Sequence, residues 1–149
     1  VDYEAAAVKA VEHFRRNGHR KVTFLTTPVD DIEKYVRKPS QYRYHKALET
    51  ACADAGLEYD PEVPKMLWNQ RPEEEVFRMI QRRKITAAAM SSDAAYYFHY
   101  KQTIESLGIS VPEDLSLIGF YNIRDRAPDL TTFDVQIHKI LFHFQDSFD

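Results

Sequence analysis

The sequence predicts an α/β fold, an open parallel sheet of about five strands flanked by helices. Three observations carry that expectation. Short apolar runs alternate along the chain with longer segments of helical periodicity. The runs are apolar at nearly every position, as in strands buried on both faces, rather than at every second one. Of only 4 glycines in 149 residues, Gly18, Gly56 and Gly108 fall where helices should stop.

Each element has its own signal. Ala7, Ala10, Val11 and Phe14 form the first helical stripe, with Gly18 past its end. KVTFLTT (21–27) is rich in β-branched and aromatic residues and reads as a strand. Pro39 and Ser40 open the next helix. Tyr44, Ala47, Leu48, Ala51 and Ala55 share one of its faces, and Gly56 ends it. A short strand is expected over roughly Val63 to Trp68, in a stretch marked by Pro61 and Pro64.

Glu73, Glu74 and Glu75 crowd the N-terminus of the following helix, and Arg82, Arg83 and Lys84 its C-terminus. Both sets match the helix dipole. ITAAAM (85–90) reads as a buried strand, and Ser92 or Asp93 caps a helix that runs to Leu107, with Gly108 beyond. Val111-Pro112-Glu113-Asp114 is a turn that feeds the strand LSLIGF (115–120). TTFDVQ (131–136) reads as the last strand. A final helix sets Ile137, Ile140, Leu141, Phe144 and Phe148 on one stripe. In an open sheet of this kind ligands bind beyond the carboxyl ends of the strands, and Tyr121 and Asn122 sit at such an end.

Composition narrows the classes. Hydrophobic residues at 44% and charged residues at 29% are an ordinary globular balance, and 149 residues suffice for one domain with a core. A net charge of -3 gives no global basic field for nucleic acid or anionic lipid. The single cysteine, Cys52, allows no internal disulfide, so a reducing cytoplasm is the natural reading. No apolar stretch approaches the ~20 residues that span a bilayer. The N-terminus lacks a signal-peptide pattern, although a secreted form with its signal removed stays open.

Three stretches together resemble the effector-binding region of the LacI/GalR family of bacterial transcription repressors. They are DYEAAAVKAVEHFRRNGHRKVTFL (2–25), AAAMSSDAAYYFHYKQTIESLGISVPEDLSLIGFYN (87–122) and DLTTFDVQ (129–136), in the family's order and spacing over most of the chain. The run from Val111 to Phe120, followed by Leu130-Thr131-Thr132, is the most specific part. The resemblance implies one flavodoxin-like lobe of a periplasmic-binding-protein-like domain over residues 1–149. It also implies that 1–19 and 137–149 are helices packing on an N-terminal lobe that is missing here, along with the DNA-binding head. Their apolar stripes then need the sheet, each other or a second chain as cover.

The implied function is to sense a small effector, sugar-like or a related metabolite, at the strand carboxyl ends. The implied partners are a second copy in a homodimer, and DNA only through the missing head, in the cytoplasm and away from membranes. Family positions that hold sugar fall on Ser40, Ser92-Asp93 and Tyr121, where the family often has arginine, asparagine-aspartate and aspartate. Trp68 matches an aromatic that stacks on ligand, and Asn122 and Thr27 lie at strand ends. The exchange of paired-hydrogen-bond groups for single hydroxyls points away from the usual sugars.

Each of these residues has a plainer reading beside it. Asp93 caps a helix whatever its function. Trp68 packs in the core or rim, and Thr26, Thr27 and Asp30 are loop residues. Tyr96, Tyr97, Phe98 and Tyr100 cover more than one helical face. That suits either a helix with wetted hydroxyls or a subunit interface, and the family places a dimer helix here. Arg15, Arg16, Arg20 and Lys21 read as a solvated helix end. His13 and His143 read as surface or packing residues, and Cys52 as an inert core thiol. No metal-ligand spacing, nucleophile elbow or phosphate-cradling loop is visible, so no metal, cofactor or catalytic residue is expected. The alternatives are a lobe of a transport-type solute-binding protein and a small flavodoxin-like enzyme using Asp30 and Asp31.

Overall fold

A computed structural model of the chain describes residues 2–26, 39–91 and 96–119, with backbone alone at 39, 40, 97 and 98. The elements run α1 (Tyr3–Arg16), β1 (Lys21–Leu25), α2 (Pro39–Ala55), β2 (Glu58–Tyr59), α3 (Glu62–Trp68), α4 (Glu73–Arg82), β3 (Ala87–Met90), a π-helical turn (Tyr96–Tyr100) leading into α5 (Lys101–Ser106), and β4 (Ser116–Ile118). Four parallel strands form one sheet in the order β2-β1-β3-β4. Successive strands are joined by helical crossovers, which parallel pairing requires. The expected last strand (131–136) and final helix (137–149) lie outside the described residues.

The inner stretches of β1, β3 and β4 are largely apolar because the sheet is covered twice. Val22, Phe24, Ala87, Ala89 and Ile118 face α1 and α2. Leu25, Ala88, Met90 and Leu117 face α3, α4 and α5. The alternation is the period of two of an extended chain. Small residues dominate the first face, with Ala6, Ala7 and Ala10 of α1 fully buried beside Phe14, Tyr44, Leu48 and Cys52. Asp2 caps α1 by accepting a hydrogen bond from the Ala5 backbone N–H at 2.9 Å.

The helix over 3–16 packs on the sheet and α2 of this same chain, the first of the covers expected for its stripe. One expectation needs correction. Val63 to Trp68 is not a strand: Glu62–Trp68 is a helix, while the strand is the two-residue Glu58–Tyr59. Val63, Pro64 and Leu67 are buried while Lys65 is exposed, a helical spacing. Pro64 sits in the first turn, where its missing N–H would have had no helical partner.

Every helix that descends to the start of a strand closes the same way. At α1 the Gly18 N–H bonds Arg15 O at 3.1 Å and the His19 N–H bonds Phe14 O at 3.0 Å. The same paired bonds end α2 at Gly56-Leu57, α4 at Lys84-Ile85 and α5 at Gly108-Ile109. This closure needs a left-handed residue. Glycine supplies it with φ 82° at Gly18, whereas Lys84 adopts φ 56° with a side chain.

Candidate functional site

The carboxyl ends of β1 and β3 are joined by the Ser91 N–H, which donates to Leu25 O at 3.2 Å. Beside them three elements meet at one buried residue. Thr26, fully buried just past β1, donates its hydroxyl to Oε1 of Gln41 in the first turn of α2. Tyr100, at the end of the π-helical turn, donates its hydroxyl to the Thr26 carbonyl. Burial pushes the Tyr100 hydroxyl well above its usual range, so it stays a protonated donor. Its ring packs edge-on to Phe77 at 5.6 Å. Thr26, Gln41, Ser91 and Tyr100 are all neutral, and together they fix the geometry of the strand ends where this fold class holds its ligands.

Of the residues singled out for effector binding, Trp68 is described in full. It ends α3 half-buried, its ring edge-on to His45 at 5.0 Å and 90°. His45 is 4% exposed, stacks on Phe24 at the same edge of the sheet, and shares a 2.5 Å hydrogen bond between Nδ1 and the Tyr59 hydroxyl. Burial is the main cause that lowers the His45 pKa. Trp68 thus packs in an aromatic cluster. Ser40 lies in the first turn of α2, next to Gln41, with its side chain outside the described residues. Thr27, Ser92, Asp93, Tyr121 and Asn122 also lie outside them.

Of the tyrosines expected at a subunit interface, Tyr96 is 1% and Tyr100 0% exposed, both in the cluster formed with α3, α4 and α5. The Tyr97 side chain lies outside the described residues. Cys52 is buried, and burial raises its thiol to about 12, as an inert core thiol should be.

Sequence reading missed Gln41 and the Tyr100 hydroxyl. Gln41 carries a signal in hindsight: it stands three and seven residues before Tyr44 and Leu48, on the sheet-facing stripe of α2. A polar residue on that stripe must find a buried partner.

A family model described as a periplasmic binding protein-like domain matches residues 11–141, and the chain belongs to that family. Among solved structures it is similar to regulators of the LacI type. The Escherichia coli transcriptional repressor ascG superposes with a TM-score of 0.59 at 23% identity, covering 83% of this chain and 43% of that one. A LacI family regulator from Bifidobacterium animalis gives 0.60 at 20%, covering 85% and 44%. One from an Arthrobacter species, in complex with lactose, gives 0.58 at 16%, covering 87% and 47%. At these identities the likeness establishes the fold, and this chain spans less than half the length of each. No curated protein matches the chain.

Proposed function

We propose that the chain is the effector-sensing lobe of a LacI-like transcription regulator and not an enzyme. The observation that carries this reading is the neutral, hydrogen-bonded knot of Thr26, Gln41 and Tyr100 at the strand carboxyl ends of a periplasmic binding protein-like fold. The knot is buried and holds the strand ends rigid with neutral groups, which suits an uncharged effector beside it, and one LacI-type neighbour holds lactose. Ser40, Thr27, Ser92, Asp93, Tyr121 and Asn122 would contact the effector, with Trp68 at the margin. Binding would favour one arrangement of lobes, and the difference would pass to a DNA-reading head in a cytoplasmic homodimer. No helix among the described residues is long and apolar enough to cross a membrane.

Titration calorimetry and thermal melting against a panel of neutral mono- and disaccharides, lactose included, test the reading. A saturable heat with a matching rise in melting temperature is expected. Saturable binding of charged metabolites alone would sink it. The family description also favours a second reading, a lobe of a transport-type solute-binding protein. In that case ligand would leave the DNA affinity of the whole gene product unchanged.

A further inference from the structure

The outer face of α2 carries its charges against its own dipole. Arg43 and Lys46 lie in the amino-terminal half, Glu49 and Asp54 in the carboxyl-terminal half, with no acid in the first turn and no base in the last. A helix favours the reverse, acids at its amino end and cations at its carboxyl end. Part of this is answered within the chain. Arg43 holds Glu4 of α1 through paired hydrogen bonds of 3.0 Å, and Lys46 lies 3.4 Å from Glu49. Asp54 stands exposed in the last turn and makes no ion pair among the described residues. One hollow between α1 and α2 is lined by Val8, Tyr42, Lys46, Thr50 and Asp54, so these residues share one side of the molecule. Val8 at 57% and Tyr42 at 48% are the large apolar side chains left exposed among the described residues. Thr50 is exposed midway along the charged face, with Lys46 one helical turn before it and Asp54 one turn after.

We infer that a second copy of this chain docks on this face, its α2 antiparallel to the first across a two-fold axis at Thr50. A two-fold interface must be self-complementary. Turning α2 end for end about Thr50 sets Lys46 opposite the partner's Asp54 and Asp54 opposite the partner's Lys46, about 6 Å to either side of the axis. Asp54 thereby gains the cation it lacks within the chain. The antiparallel run also brings each helix's amino end beside a carboxyl end, which the dipoles favour. Val8 and Tyr42 lie on the cation-bearing half of the groove, where the carboxyl end of the second α2 covers them. They give the contact the apolar and aromatic area that interfaces favour. A partner with one sign of charge would meet repulsion at one end of the groove, whereas a copy of the same face meets attraction at both. The inference rests on the homodimer of the reading above for its partner, and adds the face.

The test is sedimentation velocity of the intact chain over a concentration series, with charge reversals. A reversible dimer in the micromolar range is expected. K46E and D54K should each weaken it about tenfold or more, because each sets like charges opposite one another at two places. K46E/D54K restores opposite signs and the wild-type net charge, and should dimerise within about threefold of the wild type. D54K removes an acid from the last turn of α2, so its melting temperature should hold or rise while its dimer weakens, which separates docking from folding. Thr50→Cys should form an intermolecular disulfide on mild oxidation, and Arg78→Cys, exposed on α4, should not. Cys52 is buried and stays out of that reaction. A monomer at every concentration overturns the inference and leaves the groove to a different protein or to residues 137–149 of this chain. A dimer indifferent to both reversals, with no bridge at Thr50→Cys, overturns the face but leaves the homodimer reading standing. Neither result touches the saccharide calorimetry, because Asp54 lies in the last turn of α2, away from the strand carboxyl ends.

Discussion

The two ends of the sheet are built on different principles. At the amino ends four helices hand over to strands through one backbone closure, repeated at Gly18, Gly56, Lys84 and Gly108. Side chains are dispensable to that closure, and the surface there is free to carry charge. At the carboxyl ends the described chain is held by side chains instead, with Thr26, Gln41 and Tyr100 bonded across three elements. The closure can be rewritten at low cost, whereas the knot cannot lose one member without stranding another. The difference teaches where this fold stores its specificity.

The largest expected effect comes from breaking the knot on one side. Thr26→Val leaves Gln41 Oε1 buried without its donor, at a cost of about 1–3 kcal/mol. Adding Gln41→Leu removes the stranded partner and should restore most of the loss. A double-mutant cycle by urea denaturation reads both numbers, and strictly additive costs would refute the coupling.

The amino end should respond more mildly and in both directions. Nothing stands within 4 Å of a Cβ built at Gly18, so Gly18→Ala pays only for the left-handed backbone, about 1–2 kcal/mol. Lys84→Gly at the equivalent position should gain about 0.5–1 kcal/mol. Equal signs for the two substitutions in thermal melts would show that the closures are not equivalent.

The smallest effect is a pH slope shared by both ends. Burial is the leading cause that lowers the pKa of His19 at the amino end and of His45 near the carboxyl end. Above the ordinary value of 6.5 both states are neutral and nothing changes. As pH falls below it, the unfolded chain takes up protons that the folded chain refuses, so stability drops until the lowered folded values are reached. Glu12 acts in the same sense further into acid, because the Arg15 guanidinium holds its carboxyl near 2. Denaturation midpoints measured from pH 7 to pH 5 should fall, and His45→Gln should flatten the fall.

Much of the frame was legible because it rests on local rules. The glycines mark helix ends through backbone conformation alone, and the apolar runs report burial on two faces. Val63 to Trp68 misled because a short apolar run with prolines has no period long enough to separate strand from helix. The tyrosines at 96 and 100 left two readings open, a helix with wetted hydroxyls or an interface, and no sequence spacing shows that they pack with Phe77 and the neighbouring helices of this chain. The knot was hidden because the bond from Gln41 to Thr26 joins elements whose approach no sequence spacing encodes. Of the site itself, sequence could indicate the end of the sheet, which is a property of topology, but not the partners that fix it.

The edge-on contact of Trp68 with His45 has an optical consequence. Trp68 is the chain's only tryptophan, so all indole emission comes from one place. A protonated imidazole quenches an indole in contact far more than a neutral one does. With the ring 5.0 Å away and its proton affinity lowered by burial, the protein carries an unlabelled fluorescent gauge at the margin of its sheet. Any event that parts α3 from α2, or that charges His45, changes its brightness without an attached dye.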